Sequence, residues 1–228
     1  MKQKRFDVLP GTAPTIINAS ESHMAFVLVL DISYSMDGLP IDQLNAGLNR
    51  FKAQVCQDRQ TRDILDVAII QFNDSFEVVQ DFVPIEYMEH IQLEADGSTK
   101  YTVPIREALK MVDERSRFYR RSGSEPFKPW IILVTDGEPL DNIDAVVQEV
   151  QTAQNEGKVR FIAVGVGSFN RATLKKITDV VLHMDGTDFT DFFNWVGKSM
   201  RSVSTTAPGE KPALPPLEGN VYRDVSDI

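Results

Sequence analysis

The stretch VLVLDISYSMDG, residues 27–38, changes abruptly from apolar to oxygen-bearing side chains. Asp31, Ser33 and Ser35 place a carboxylate and two hydroxyls at alternate positions directly after the apolar run. This spacing suits a turn that brings alternate side chains to one centre, and hard cations such as Mg²⁺ and Ca²⁺ prefer such oxygen donors. Taken alone, an Asp with a Ser two residues later is equally typical of an Asx turn or a helix cap.

Two further segments offer donors of the same kind. Ser98 and Thr99 lie in ADGST before a predicted helix, and Asp136 lies in TDGEP after the apolar run WIILV. None of the three segments contains Cys or His, which disfavours zinc and copper. The combined set therefore predicts a site for Mg²⁺, with Mn²⁺ or Ca²⁺ as alternatives.

The intervening sequence predicts the elements that position these donors. Continuous apolar runs indicate strands buried on both faces, at residues 24–30, 65–72, 130–137, 160–167 and 180–185. Residues 75–82 follow the second run after only Asn73 and Asp74, which predicts an antiparallel hairpin. Helical periodicity begins after Pro40 and recurs between the later strands.

Alternating strands and helices predict an α/β fold. We expect a mainly parallel central sheet of about six strands, with one antiparallel edge strand and helices on both faces. Ligands of such sheets bind beyond the carboxyl ends of the strands. That rule selects the three oxygen-bearing segments as loops of one site.

The charge of this donor set indicates a recognition site. Two directly bound carboxylates would neutralise a divalent cation. If one acts through water and hydroxyls supply the other ligands, the ion keeps positive character. A carboxylate from a partner could then complete its coordination.

These residues resemble the von Willebrand factor A domain. Asp31, Ser33 and Ser35, the Ser98-Thr99 pair, and Asp136 after its strand match the family's metal-ion-dependent adhesion site, and the resemblance covers roughly residues 24–203. It implies a Rossmann-like sheet and Mg²⁺ held directly by Ser33, Ser35 and Thr99, with Asp31 and Asp136 acting directly or through water. It also implies that a partner protein's Glu or Asp takes the remaining position.

A narrower resemblance rests on SMDGLPIDQLNAGLNRF, LVTDGEPLD and FFNWVGKSM. These segments are similar to bacterial cytoplasmic A-domain proteins of the tellurium-resistance TerY type. The similarity implies a role in stress response or phage defence. The implied partners include a kinase, a phosphatase or an ATPase.

Several residues in these loops leave alternatives open. Tyr34 stands where the family often has Gly, and we expect its ring beside the metal as part of a partner surface; the alternative is packing against a neighbouring loop. Glu138 could shape partner choice or be a solvated loop carboxylate. Either residue of the Ser98-Thr99 pair could face the ion, whereas Thr102 is more easily a helix cap.

Length and composition limit the domain organisation and the class of partner. The 228 residues fit one domain over 23–203, with an arm at 1–22 and a proline-rich, mostly unpacked tail at 204–228. The net charge of −9 argues against a nucleic-acid partner. With no secretory signal and no apolar stretch long enough for a membrane span, we expect a cytoplasmic protein.

The function that follows is a non-enzymatic interaction module. The chief alternative is a metal-dependent phosphotransfer or hydrolytic enzyme, which needs cationic help for the developing charge. Lys100 is the only cation near the three loops in sequence, which favours binding over catalysis. A second alternative, an accessory subunit of a ring ATPase, is not separable from the interaction module by sequence.

Overall fold

A single seven-stranded sheet organises the computed structural model, which describes residues 21–223. The strands are Met24–Asp31 (β1), Leu65–Phe72 (β2), Phe76–Pro84 (β3), Trp130–Thr135 (β4), Arg160–Val166 (β5), Val181–Met184 (β6) and Val221–Tyr222 (β7). Their spatial order is β3-β2-β1-β4-β5-β6-β7, with only β3 and β7 antiparallel to their neighbours. The predicted α/β class is confirmed, but both edge strands are antiparallel and one strand more than expected is present.

Helices cover both faces of this sheet. They are Leu39–Val55 (α1), Arg59–Ile64 (α2), Thr102–Arg121 (α3), Asp144–Asn155 (α4), Arg171–Ile177 (α5) and Thr190–Ser204 (α6). Buried side chains of α1, α2 and α6 join one hydrophobic cluster, and those of α3, α4 and α5 join the other. The sheet therefore lies between two helical layers, as expected for a mainly parallel sheet.

Strand β1 shows why its sequence is continuously apolar. Alternate side chains from Met24 to Leu30 pack into the cluster beneath α1 and α6, whereas those from Ala25 to Val29 pack into the cluster beneath α3. Every residue of β1 is buried, so no position along it favours a polar side chain before Asp31. The prediction of a strand covered on both faces is confirmed.

Register brings the ends of β1 and β4 to the same edge of the sheet. Leu30 pairs with Val134, so Asp31 and Thr135 follow at the same level. The β2–β3 hairpin also turns at this edge, since Phe72 pairs with both Asp31 and Phe76. The antiparallel hairpin predicted around Asn73 and Asp74 is thus confirmed.

The chain leaves β1 through a short 3₁₀ turn, Tyr34–Met36, before α1 begins. Gly38, with φ of 76°, makes the change of direction, in a backbone region that favours glycine. Pro40 then stands in the first turn of α1, where its missing N–H costs no helical hydrogen bond.

The C-terminal segment differs from the sequence expectation of a mostly unpacked tail. Leu214 and Leu217 pack against the cluster that contains α6, and the Trp195 indole N–H donates to the Pro215 carbonyl at 3.1 Å. Val221 is buried in β7, which pairs with β6. A proline-rich composition predicts little regular structure. It does not show that single apolar residues such as Leu214 and Leu217 pack against α6 and its neighbours.

The terminal predictions fall partly outside the described residues. Only residues 21 and 22 of the expected arm at 1–22 are described, and the last five residues of the chain are not. Across residues 21–223, no helix combines the length and apolar character needed to cross a membrane.

Candidate metal centre

The first loop arranges its donors from the buried core towards the surface. Asp31 is fully buried and its Oδ1 accepts a hydrogen bond from the Ser33 backbone N–H at 2.8 Å. Ser33 is also buried, and its Oγ lies 3.1 Å from Oγ of the exposed Ser35. The Asx-type turn weighed as an alternative is therefore present, and it also brings both hydroxyls to one side of the loop.

The third loop joins this group through Asp136. Ser35 Oγ donates to Asp136 Oδ1 at 2.7 Å, across 101 positions of sequence. Asp136 directly follows β4, and β4 is the neighbour of β1 in the sheet. Four of the five predicted metal ligands thus form one chain of contacts.

Thr99 of the second loop lies beside the third loop. Its Oγ1 is 3.0 Å from the position that a Cβ on Gly137 would occupy, and its carbonyl accepts from the Leu140 N–H at 2.9 Å. Thr99 is buried, whereas Ser98 is partly exposed. Thr102 is directed elsewhere, because its hydroxyl donates to the Asn142 carbonyl at 2.9 Å.

Backbone hydrogen bonds fix the second loop against the first. Tyr34 N–H donates to the Gly97 carbonyl at 3.0 Å, and Asp96 N–H donates to the Ile32 carbonyl at 2.8 Å. Lys100 N–H in turn donates to the Asn73 carbonyl in the β2–β3 hairpin at 2.9 Å. These backbone hydrogen bonds join the second loop to the first loop and to the β2–β3 hairpin.

A supporting network beneath the cluster was missed at the sequence level. Thr135 Oγ1 donates to Asp31 Oδ2 at 2.5 Å, and the Gly137 N–H donates to the same Thr135 oxygen at 3.2 Å. The Tyr101 hydroxyl lies 3.0 Å from Thr135 Oγ1 and donates to the Gly137 carbonyl at 2.6 Å. Identifying Thr135 as a partner of Asp31 requires the β1–β4 register. Tyr101 has no feature in the sequence that marks it as part of this network.

Burial dominates the electrostatics of Asp31. Burial raises its pKa to about 6; hydrogen bonds from Thr135 and Ser33 oppose this rise, and the negative charge of Asp136 adds to it. A neighbouring positive charge favours the ionised form of such a carboxylate. A cation beside Asp31 would therefore offset the cost of burying its charge.

The donor set fits a hard divalent cation. Across residues 21–223, no three His, Cys, Asp or Glu side chains are grouped as a metal site. The cluster instead combines two carboxylates with three hydroxyls, a composition that suits Mg²⁺, Mn²⁺ or Ca²⁺ better than zinc. The assignment of individual ligands stays a prediction.

Tyr34 and Glu138 both lie at the surface of this site. Tyr34 is 70% exposed, and no described non-glycine residue has positive φ, so the loop does not need a glycine there. Glu138 is exposed and accepts a hydrogen bond from the Asn170 side-chain amide. This exposure disfavours packing of the Tyr34 ring against a neighbouring loop, and contact of either residue with a partner stays a prediction.

Sequence comparison finds a relative of low identity and limited coverage. An uncharacterised protein of Methanocaldococcus jannaschii is 29% identical over 129 residues, which are 54% of this chain and 27% of that relative. This chain therefore spans about a quarter of that relative's length.

Two solved structures have the same fold at low identity. The pilus adhesin SpaC from Lactobacillus rhamnosus GG, in its open conformation, matches with a TM-score of 0.65 and 16% identity, over 78% of this chain and 30% of SpaC. The VWA domain of SpRpn10 matches with a TM-score of 0.54 and 11% identity, over 75% of this chain and 94% of that domain.

The sequence profile of the von Willebrand factor type A domain matches residues 26–193, which is more than half of the chain. This range begins within β1 and ends within α6, and it includes all three loops of the candidate metal centre. The chain belongs to the von Willebrand factor type A domain family, a family of protein-interaction modules.

Proposed function

We propose that this protein is a Mg²⁺-dependent interaction module that docks an acidic residue of a partner protein. The proposed metal ligands are Asp31, Ser33, Ser35, Thr99 and Asp136. The observation that supports this proposal is that donors of the first and third loops contact each other at the carboxyl edge of the sheet, with Thr99 of the second loop beside Gly137.

The chain's own residues prepare this site. Thr135 and the Ser33 N–H orient the two oxygens of Asp31, and Ser35 links the first loop to Asp136. A bound Mg²⁺ would supply a positive charge with room for one more oxygen ligand. Mn²⁺ or Ca²⁺ could occupy the same donors.

A non-enzymatic role is part of the proposal. Phosphoryl transfer needs a positioned nucleophile and cationic groups around the developing charge. Within residues 31–38, 96–100 and 135–140, Lys100 is the single Lys or Arg. The loops therefore offer oxygen ligands but few of the cationic groups that phosphoryl transfer needs.

The narrower sequence resemblance supports a biological setting. Similarity of three segments to TerY-type proteins favours an adaptor role in bacterial stress response or defence, with a kinase, phosphatase or ATPase as partner. A cytoplasmic location belongs to the same proposal.

Thermal unfolding with and without Mg²⁺ tests the metal site. Mg²⁺ at roughly ten times its Kd should stabilise the native protein by about 1.4 kcal/mol. For a chain of this size, that stabilisation raises Tm by about 3–6 °C. The variant Asp136→Asn should lose most of this rise, because it removes a charged donor from the partly exposed side of the cluster.

The matched control is Asp37→Asn, which removes an exposed carboxylate from the first loop without touching the cluster. It should keep the full Mg²⁺-dependent rise in Tm. Equal rises in the wild type and Asp136→Asn would refute the assigned site.

Retention of partners by the immobilised full chain tests the docking step. A partner protein that the immobilised chain retains in Mg²⁺ from an extract of the source organism should be released by EDTA. The immobilised Asp136→Asn variant should not retain this protein. Retention that is unchanged by EDTA and by the substitution would contradict metal-mediated docking.

A further inference from the structure

Large apolar side chains are exposed around the candidate metal centre. Tyr34, Leu39, Val103 and Leu140 are 70%, 64%, 52% and 72% exposed, respectively. Single exposed apolar residues are common on protein surfaces, whereas larger apolar patches beside polar residues mark interaction sites. We call these four residues the apolar rim.

Two members of the apolar rim flank the cluster on the side of the first loop. Tyr34 lies between the donors Ser33 and Ser35, and its backbone is anchored to Gly97. Leu39 is the first residue of α1, directly after the same loop. Both side chains are therefore carried by backbone that the fold holds in place.

The other two members lie on the side of the second and third loops. The Leu140 N–H donates to the carbonyl of Thr99, which places Leu140 beside a predicted metal ligand. Val103 is in the first turn of α3, where the Asp141 carboxylate accepts from the backbone N–H groups of Tyr101 and Thr102 at 2.9 Å each. Asp141 thus holds the start of α3 against the loop that carries Leu140.

The charged groups of the same loops are predominantly acidic. Asp37, Asp96 and Glu138 are exposed, and Lys100 is the only cation in the three segments. An acid-rich partner would be repelled by these carboxylates, except for the single group that reaches a metal ion. Basic residues next to that group would be attracted.

We propose that the partner presents one Asp or Glu flanked by large apolar residues and by Lys or Arg, not an acidic patch. This inference rests on the proposed function, since the acidic residue is the one that docks on the metal. The apolar flanks cover the apolar rim, and the basic residues pair with the exposed carboxylates. Coordination of the metal, contact with the apolar rim and pairing of opposite charges together specify the partner's binding segment.

Selection from a random peptide library tests this partner chemistry. A phage-displayed library is selected on the immobilised full chain in Mg²⁺, and the bound phage are eluted with EDTA. Peptides recovered in this way should carry one Asp or Glu with Leu, Ile, Phe, Tyr or Trp within a few positions. Their remaining charged residues should be mainly Lys and Arg.

Variants of the apolar rim provide the quantitative measurement. Leu140→Ser and Leu39→Ser should each weaken binding of a selected synthetic peptide by about tenfold, the effect of losing one buried leucine contact. Tyr87→Ser is the matched control, because Tyr87 is 50% exposed in the 3₁₀ turn Ile85–Tyr87, away from the three loops. All three variants should keep the Mg²⁺-dependent rise in Tm, and this measurement would show that the ion site is intact in each.

The outcomes separate this inference from the proposed function. EDTA-eluted peptides with an acidic residue but no apolar or basic enrichment would overturn the partner chemistry alone, as would unchanged affinity in Leu140→Ser and Leu39→Ser. Failure to recover any EDTA-eluted peptide would overturn metal-mediated docking and the partner chemistry with it.

Discussion

Asp66, Arg115 and Tyr119 form a buried polar group at the edge of the sheet opposite the candidate metal centre. Asp66 Oδ2 accepts from Arg115 Nη2 at 2.7 Å and from the Tyr119 hydroxyl at 2.5 Å. The Asp66 and Arg115 side chains are each 4% exposed. The guanidinium also lies 4.9 Å from the ring centroid of Phe118. This ion pair is therefore nearly free of solvent screening, and its loss would leave a buried charge.

The variant Arg115→Met should lower the free energy of unfolding by about 3–5 kcal/mol, because Tyr119 would be the remaining side-chain donor to Asp66 among residues 21–223. Arg117→Met is the control on the same helix, where Arg117 pairs with Asp113 and its side chain is 65% exposed. An exposed pair of this kind contributes at most about 1 kcal/mol. Urea denaturation of both variants measures the difference, and similar losses would show that burial does not strengthen the Arg115 pair.

The residues of the candidate metal centre differ in how far the sequence alone identifies them. Asp31, Ser33, Ser35 and Asp136 could be selected from sequence because oxygen donors directly follow apolar runs. The sequence leaves Ser98 and Thr99 as alternatives, and the approach of Thr99 to Gly137, which favours Thr99, depends on tertiary packing.

Helix α2 is an element that the sequence did not predict. It has only six residues, too few to show a helical period, and it begins after Asp58. The Asp58 carboxylate accepts from the backbone N–H of Thr61 at 2.9 Å and from its hydroxyl at 2.8 Å. These two hydrogen bonds lower the pKa of Asp58, an effect to which Arg201 adds. The carboxylate therefore acts as an N-cap that is stronger when ionised.

Removing this cap with Asp58→Ala should cost about 1 kcal/mol of unfolding free energy at neutral pH. Because the folded-state pKa is lowered, the ionised cap stabilises the protein fully above the unfolded-state value of about 3.9. Its contribution should fall as pH drops below that value towards the lower folded-state pKa. Urea denaturation across acidic pH measures the gap between wild type and variant, and a gap that widens on acidification would contradict this assignment.

The asparagine variant separates charge from hydrogen bonding. Asp58→Asn retains an oxygen acceptor for the Thr61 N–H but does not titrate. Its stability relative to Asp58→Ala should therefore not depend on pH through this position.

Strand β7 is the second element that was missed, and for a related reason. Its two residues show no alternation, and its place in the sheet is set by the free edge of β6. The Asn220 side-chain N–H₂ donates to the carbonyls of Asp185 and Asp188 at 2.9 and 3.0 Å, which fixes the chain just before β7. Long apolar strands and amphipathic helices were predictable because their periodicity is local, whereas β7 depends on partners that are remote in sequence.

At the scale of the whole molecule, the sheet topology and the charge balance act on the same face. The central position of β1 between β2 and β4 places its loop between the hairpin and the third loop. The net charge of −9 gives the protein a negative long-range field, and Asp37, Asp96 and Glu138 add exposed carboxylates near the site. A metal ion would be a short-range positive charge within this negative surrounding.

This combination predicts how salt affects association with a selected peptide that has one Glu and flanking Lys residues. The rate constant of association in Mg²⁺ should fall as NaCl rises, because salt screens attraction between the basic flanks and the acidic face. Stopped-flow fluorescence measures this rate, with Lys→Gln flanks in the peptide as the control that should show a smaller slope. Replacing the flanking Lys residues with Glu should reverse the slope, because salt would then screen repulsion. A rate that rises with salt for the basic peptide would mean that the ion, and not the surrounding carboxylates, dominates the field that an approaching partner meets.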